Sequence, residues 1–263
     1  LAPPGSLHGS RALRLTESPM GDRRKLAYLD ALGVDAYVPR SGRPVEAVAA
    51  EAPPVAIATA ATDPPLGTVS NLDWDALRIQ VSACTRCELH TTRTQTVFGV
   101  GNPHARWMFI GEAPGAEEDR QGEPFVGRAG QLLTSMLKAL GFSRDDVFIA
   151  NVLKCRPPGN RDPKPDEARS CRGYLDRQIE LVSPLLIVAV GRIAAQNLLA
   201  TDSALARLRG QVHALGERRW PLIVTYHPAY LLRSPGEKRK AWQDLVFARQ
   251  VFRRLEAGEP VLT

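Results

Sequence analysis

Four short runs, Trp107–Ile110, Val147–Val152, Leu185–Val190 and Leu222–Tyr226, are apolar almost throughout. Strands that alternate polar and apolar residues bury one face, whereas continuously apolar strands are buried on both. Between these runs lie stretches of helical length. Gly127–Gly141 carries Leu132, Leu133, Met136, Leu137 and Leu140 at helical spacing and stops at a glycine. Pro165–Val182 is opened by its proline. Gly191–Ala200 and Glu237–Leu255 follow the third and fourth runs, the latter with Trp242, Leu245, Phe252 and Leu255 expected inward. A helix over Asp73–Ala83 precedes them all. Alternation of this kind requires parallel pairing with crossover helices. The pattern predicts an α/β fold, a three-layer αβα sandwich around a mainly parallel four-stranded sheet. A chain of 263 residues is long enough to bury such a core.

The N-terminal region has a different composition. Val45 to about Leu72 is rich in Ala, Pro, Val and Thr, punctuated by Pro53-Pro54 and Pro64-Pro65. Such a segment reads as a semi-extended linker. We therefore expect residues 1–70 to be a flexible or extended N-terminal segment and 71–263 to be the folded domain. Met20 reads as a natural start, followed by a short amphipathic helix with Leu26, Leu29, Leu32 and Val34. That face is too small to fold alone, and residues 20–44 are a candidate docking segment for a protein partner. No apolar run has the length of a membrane span, and no secretory signal is visible, so the expectation is a cytoplasmic protein with no membrane partner. A net charge of +6 and a pI near 9.4 are compatible with a polyanionic partner.

In parallel sheets ligands bind beyond the carboxyl ends of the strands. Here those ends carry Gly111-Glu112, Asn151, Gly191-Arg192 and His227-Pro228. The first run turns abruptly through GEAPG, Gly111–Gly115, which is not the GxGxxG of a dinucleotide site. Cys84 and Cys87 form a CxxC, Cys155 follows the second run, and Cys171 lies in the next helix. Four thiolates suit either tetrahedral zinc or an iron–sulfur cluster. Wide, unequal spacing drawn from separate elements fits a cubane cluster better than a zinc knuckle. Lys154, Arg156, Arg161, Lys164, Arg169 and Arg172 crowd around Pro157–Asn160, and we read them as a phosphate-contacting rim.

CTRC, GEAPGAEED, PFVGRAG, NVLKCRPP, the spaced Cys171 and HPAYLLR occur in that order between Cys84 and Arg233. In these motifs the chain resembles the family 4 uracil-DNA glycosylases, the iron–sulfur branch of their superfamily. The resemblance implies a DNA-repair enzyme that flips uracil out of DNA, hydrolyses its N-glycosidic bond and leaves an abasic site. It implies a [4Fe–4S] cluster on Cys84, Cys87, Cys155 and Cys171, uracil-containing DNA as partner, and a monomer, nucleoid-associated when acting.

For the site, the resemblance makes Gly111, Glu112, Ala113 and Gly115 the turn around uracil. Phe125 becomes the stacking aromatic, Asn151 the reader of the uracil edge and His227 the catalytic histidine. Glu118 would stand beside uracil C5, with Asp119 as its competitor. Ala113 occupies the position where family 1 enzymes hold a water-orienting aspartate, so Glu112 is left to position water. Leu231, Leu232 and Arg233 would wedge into DNA and hold a phosphate, with Arg156 and Arg161 as further DNA contacts. A covalent uracil-capturing branch of the superfamily carries an inserted basic loop, and none lies between Asn151 and Cys171. A non-catalytic damage-binding module is the other alternative.

Overall fold

The computed structural model describes residues 69–262. The predicted helix within 20–44 and most of the linker lie outside the described residues. Eight helices and six strands are formed there. The strands are β1 (Val100–Gly101), β2 (Trp107–Gly111), β3 (Phe148–Asn151), β4 (Leu186–Val190), β5 (His213–Leu215) and β6 (Trp220–Thr225). The helices are α1 (Trp74–Ser82), α2 (Ala116–Gln121), α3 (Arg128–Ala139), α4 (Pro165–Val182), α5 (Arg192–Leu199), α6 (Leu205–Leu208), α7 (Pro228–Arg233) and α8 (Lys238–Glu256).

The strands make one sheet in the order β1-β3-β2-β4-β6-β5. Its centre is the expected parallel set of four, β3, β2, β4 and β6. Two short strands are added at the edges, β1 antiparallel to β3 and β5 antiparallel to β6. At two and three residues, these edge strands are too short to show a hydrophobic period.

Successive residues of the central strands face opposite layers, as the pleat demands. Met108, Ile110, Ile187, Ala189, Leu222 and Val224 pack with Leu175 and Ile179 of α4 and Ala194 and Leu198 of α5. Trp107, Phe109, Ile149, Val188 and Ile223 pack with Leu133 and Leu137 of α3 and Leu245, Ala248 and Val251 of α8. The fold is thus a sheet between two helical layers. A smaller cluster of Val69, Leu77, Val81, Phe98 and Tyr174 attaches α1 to α4. Among the described residues, no helix is long and apolar enough to cross a membrane.

Trp242 differs from expectation, being 44% exposed. The buried stripe of α8 runs through Ala241, Asp244, Leu245, Ala248, Val251 and Phe252. Trp242 falls roughly a third of a turn away from the middle of that stripe, given about 100° per residue.

Strand β2 is central, with β3 on one side and β4 on the other. The chain reverses its direction of winding there, which opens a crevice at the carboxyl ends of the strands. Register places Gly111 opposite Asn151, and Val190 opposite Thr225.

Candidate active site

A cavity of about 650 Å³ lies at that crevice. Its lining includes Glu112, Ala113, Gly115, Glu118, Phe125, Asn151, Arg161, Gly191, Arg192, His227 and Arg233. Residues far apart in the chain meet here because four parallel strands end on the same edge of the sheet.

Asn151 ends β3 and is 2% exposed, yet its side-chain oxygen Oδ1 has no hydrogen-bond partner. An unsatisfied buried carbonyl costs about 1–3 kcal/mol, so such an atom points to a ligand that donates to it. Gly111, beside it in the register, leaves the room. A Cβ there would lie 2.4 Å from Asn151 Oδ1 and 2.5 Å from Phe125 Cζ.

Phe125 has φ of 55°, an unusual backbone for a bulky residue. The conformation is held from both sides. Arg144 donates from Nη1 to the Phe125 carbonyl at 3.1 Å and from Nη2 to the Pro124 carbonyl at 2.7 Å. Gly130 of α3 presents no side chain where a Cβ would sit 1.8 Å from that Phe125 oxygen. The phenyl ring lies 5.7 Å from the His227 ring, centroid to centroid.

His227 caps α7, accepting at Nδ1 from the backbone N–H of Ala229 at 3.1 Å. An accepting Nδ1 leaves the ring proton on Nε2. Burial, and then the Arg233 cation, push the imidazolium down to a pKa of about 4. At neutral pH the ring is therefore an uncharged donor at Nε2.

Glu112 follows Gly111 at the end of β2. Burial, and then the nearby Asp162 carboxylate, push its pKa up to about 7, against the opposing pull of Arg192. Arg192 opens α5 and pairs with Asp162 at 2.9 Å. Glu118 also lines the cavity, but its carboxylate holds the loop. Oε1 accepts from the N–H groups of Val126 and Gly127, both at 3.0 Å, and Oε2 from that of Gly115 at 3.1 Å. Asp119 does not reach the cavity. It is buried and accepts from the backbone N–H of Thr94 at 2.9 Å.

Three sequence expectations about the DNA-facing surface are corrected. Leu231 is 1% exposed and belongs to the core, because on the single turn of α7 it is the residue turned inward. It cannot wedge into DNA from there, whereas Leu232 and Arg233 are exposed. Lys154 does not belong to a solvent-facing rim. It is buried, donating to the Asn151 carbonyl at 2.8 Å and to Gln178 Oε1 at 2.6 Å. Much of the remaining rim is internally paired: Arg161 with Glu167, Arg169 with Asp166, Arg172 with Asp176. Arg156 donates to Asn160 Oδ1 at 2.7 Å.

The four cysteines gather beneath this rim. Cys84 and Cys87 follow α1, Cys155 follows β3, and Cys171 projects from α4 into the core. They lie within electrostatic reach of one another: Cys155 of Cys84 and Cys87, and Cys171 of Cys155 and Cys87. Arg93 donates to Cys155 Sγ at 3.0 Å. Among the described residues no three His, Cys, Asp or Glu side chains are grouped so that they could hold a metal ion.

The sequence model of the Uracil DNA glycosylase superfamily matches residues 98–246, which span β2 through most of α8. The chain is 49% identical over 173 residues to the type-4 uracil-DNA glycosylase of Archaeoglobus fulgidus, covering 63% of this chain and 86% of that one. It is 42% identical over 179 residues to the type-4 enzyme of Thermotoga maritima, covering 66% and 92%. The type-4 enzyme of Sulfurisphaera tokodaii is 42% identical over 184 residues, covering 67% and 84%. The chain belongs to the uracil DNA glycosylase superfamily.

Within this superfamily member, sequence reasoning missed several residues at the cavity. Arg144 and Gly130 act through backbone contacts with Phe125 and carry no motif. Arg192 was named only as part of a strand end. Tyr226 and Tyr230 flank His227 on the cavity wall, and their place within and beside HPAYLLR was the one signal available.

Proposed function

We propose that the protein is a DNA-repair uracil-DNA glycosylase that hydrolyses the bond between uracil N1 and deoxyribose C1′, leaving an abasic site. The single observation that carries this reading is the unpartnered, buried Oδ1 of Asn151 in a base-sized cavity. A base inside a duplex is out of reach, so uracil must be flipped into that cavity. There Asn151 Oδ1 accepts from uracil N3–H, and its amide nitrogen donates to O4. Phe125 stacks on the base. As N1–C1′ breaks, the bonding electron pair moves into the uracil ring and negative charge grows at O2. His227 donates to O2 from Nε2. Because the ring is already neutral and fixed, it stabilises the transition state without reorganising. Ionised Glu112 orients the water that attacks C1′ and takes up its proton, the role left vacant by Ala113. Gly111 and Gly115 let the turn approach the base closely, and Glu118 keeps that turn rigid on the side of uracil C5. Arg233 and Leu232 face the DNA, with Arg156 and Arg161 available to phosphates once DNA draws them from their internal partners.

We infer a [4Fe–4S] cluster on Cys84, Cys87, Cys155 and Cys171. The donor set is all sulfur, drawn from three elements and partly balanced by Arg93. A cubane keeps its four protein sulfurs apart by its own iron–sulfide body, so ligands too dispersed for a single ion fit a cluster. It would supply structural cross-linking of the α1, β3 and α4 ends, holding the loop beside Asn151. On this reading the protein works as a cytoplasmic monomer, nucleoid-associated when acting, and residues 1–70 are dispensable for excision.

The test is release of free uracil from a single-uracil oligonucleotide, with iron, sulfide and zinc measured on the same anaerobically purified sample. Release of uracil by protein holding about four irons is expected. Tight binding without release would overturn the enzyme, and stoichiometric zinc without iron would overturn the cluster.

A further inference from the structure

The tip of α7 lies at the cavity mouth, and the burial of Leu231 leaves the DNA-facing work of that tip to other residues. Leu232 is exposed but does not line the cavity. Tyr230 does both, lining the cavity while keeping 38% of its surface exposed. Its ring stacks on that of Tyr226, with centroids 5.2 Å apart and planes inclined by 19°.

This pair is fixed from below. The Arg209 guanidinium packs on the Tyr226 ring at 4.3 Å and donates to its hydroxyl at 3.2 Å. Arg209 is itself held by both oxygens of the buried Asp244 carboxylate, at 2.7 and 2.9 Å. Thr225 Oγ1 donates to the same carboxylate at 2.9 Å. A flat aromatic surface is therefore presented in one orientation at the rim of the base pocket, and little side-chain freedom remains to be lost on binding.

We propose that Tyr230, backed by Tyr226 and Arg209, is a stacking platform for the base next to the flipped uracil on the same strand. The proposal rests on the glycosylase reading above. Flipping uracil removes the stacking partner of its neighbour, leaving a π-face exposed at the mouth of the cavity. Aromatic side chains take up such faces without regard to base identity. A stacking platform on the damaged strand acts in single-stranded and duplex DNA alike. A wedge that fills the gap left in a duplex acts only in the latter. The platform thus predicts efficient use of single-stranded substrate.

The experiment uses the full chain and oligonucleotides with 2-aminopurine on the 5′ or the 3′ side of the target. The target is uracil for kinetics, and for binding a 2′-fluorinated deoxyuridine, which resists N1–C1′ cleavage. Wild type is expected to quench the 2-aminopurine on one of the two sides, in single strands and in duplexes. Tyr230→Ala should lose this quenching and raise KM by about 5- to 150-fold on both substrates. Tyr230→Phe should retain both properties, and Tyr230→Leu should lose both despite its apolar bulk. Iron content and Tm of each variant establish folding, and the contrast between Phe and Leu decides the matter if the alanine variant is unstable. Loss confined to duplex DNA, equal behaviour of Phe and Leu, or wild-type KM in Tyr230→Ala would each overturn the platform. Wild-type protein that releases no uracil would instead overturn the glycosylase reading, so the two failures are distinguishable.

Discussion

Gly111→Ala places one methyl group where the cavity is formed. The backbone tolerates alanine there, because Gly111 is strand residue paired to Asn151 and does not have the positive φ of the left-handed glycines. The added carbon would sit 2.4 Å from Asn151 Oδ1, and 2.5 and 2.8 Å from Phe125 Cζ and Cε2. Ordinary contact needs well over 3 Å, so both side chains must retreat by about 1 Å. Neither can do so freely. Phe125 is locked by Arg144 and Gly130, and Asn151 is closed in by the sheet. Overpacking of this kind costs about 1–3 kcal/mol of stability. The functional cost should be larger, since a 1 Å misplacement of positioning groups lowers rates about 100-fold. We expect a folded variant with its cluster content unchanged, a modestly lowered Tm and kcat/KM for uracil release reduced about 100-fold or more. Single-turnover excision, thermal unfolding and iron analysis on one preparation measure all three. A folded Gly111→Ala protein with wild-type kcat/KM would show that Asn151 and Phe125 do not contact the base, and the proposed pocket would fall.

Other outcomes follow from the same geometry. His227→Ala removes a donor used mainly in the transition state, so single-turnover rates should fall by about 10²–10³ while DNA affinity changes little; equal rates exclude the role. Asn151→Asp should lose most uracil excision and gain weak cytosine excision that improves at lower pH, since a protonated carboxyl donates to cytosine N3 and accepts from N4; unchanged uracil preference would refute base reading by Asn151. Glu112 gains its proton as pH falls through about 7. Excision should therefore decline below pH 7, and Glu112→Gln should be slow and lack that limb; an identical pH profile in the variant rejects the water-positioning role. The stability sign is opposite: a raised carboxylate pKa means stability is lost as pH rises from about 4.5 to 7, so Glu112→Gln should gain Tm at pH 8 relative to pH 5.

The layered sheet was legible because burial leaves a one-dimensional trace. Leu186–Val190 is apolar throughout since both faces of β4 are covered, and α4 was bounded correctly at Pro165 and Val182 by a proline start and the end of its apolar period. Strand-end positions were also legible: Gly111, Asn151 and His227 stand where apolar runs stop, and parallel strands bring such ends to one edge. Other features depend on contacts between segments distant in the chain, which leave no local pattern. The left-handed backbone of Phe125 is imposed by Arg144 and Gly130, and the fixed orientation of Tyr226 by Asp244 of α8. Composition shows Lys154 and Arg161 only as charges. Burial against Gln178 and pairing with Glu167 withdraw them from the surface. Leu231 and Leu232 are equivalent as letters, and the packing of one helical turn against its neighbours buries the first and exposes the second. Periodicity encodes which faces are covered, whereas the pairing of particular side chains is decided by register and packing between elements, where the energies that matter are those of desolvation and close contact.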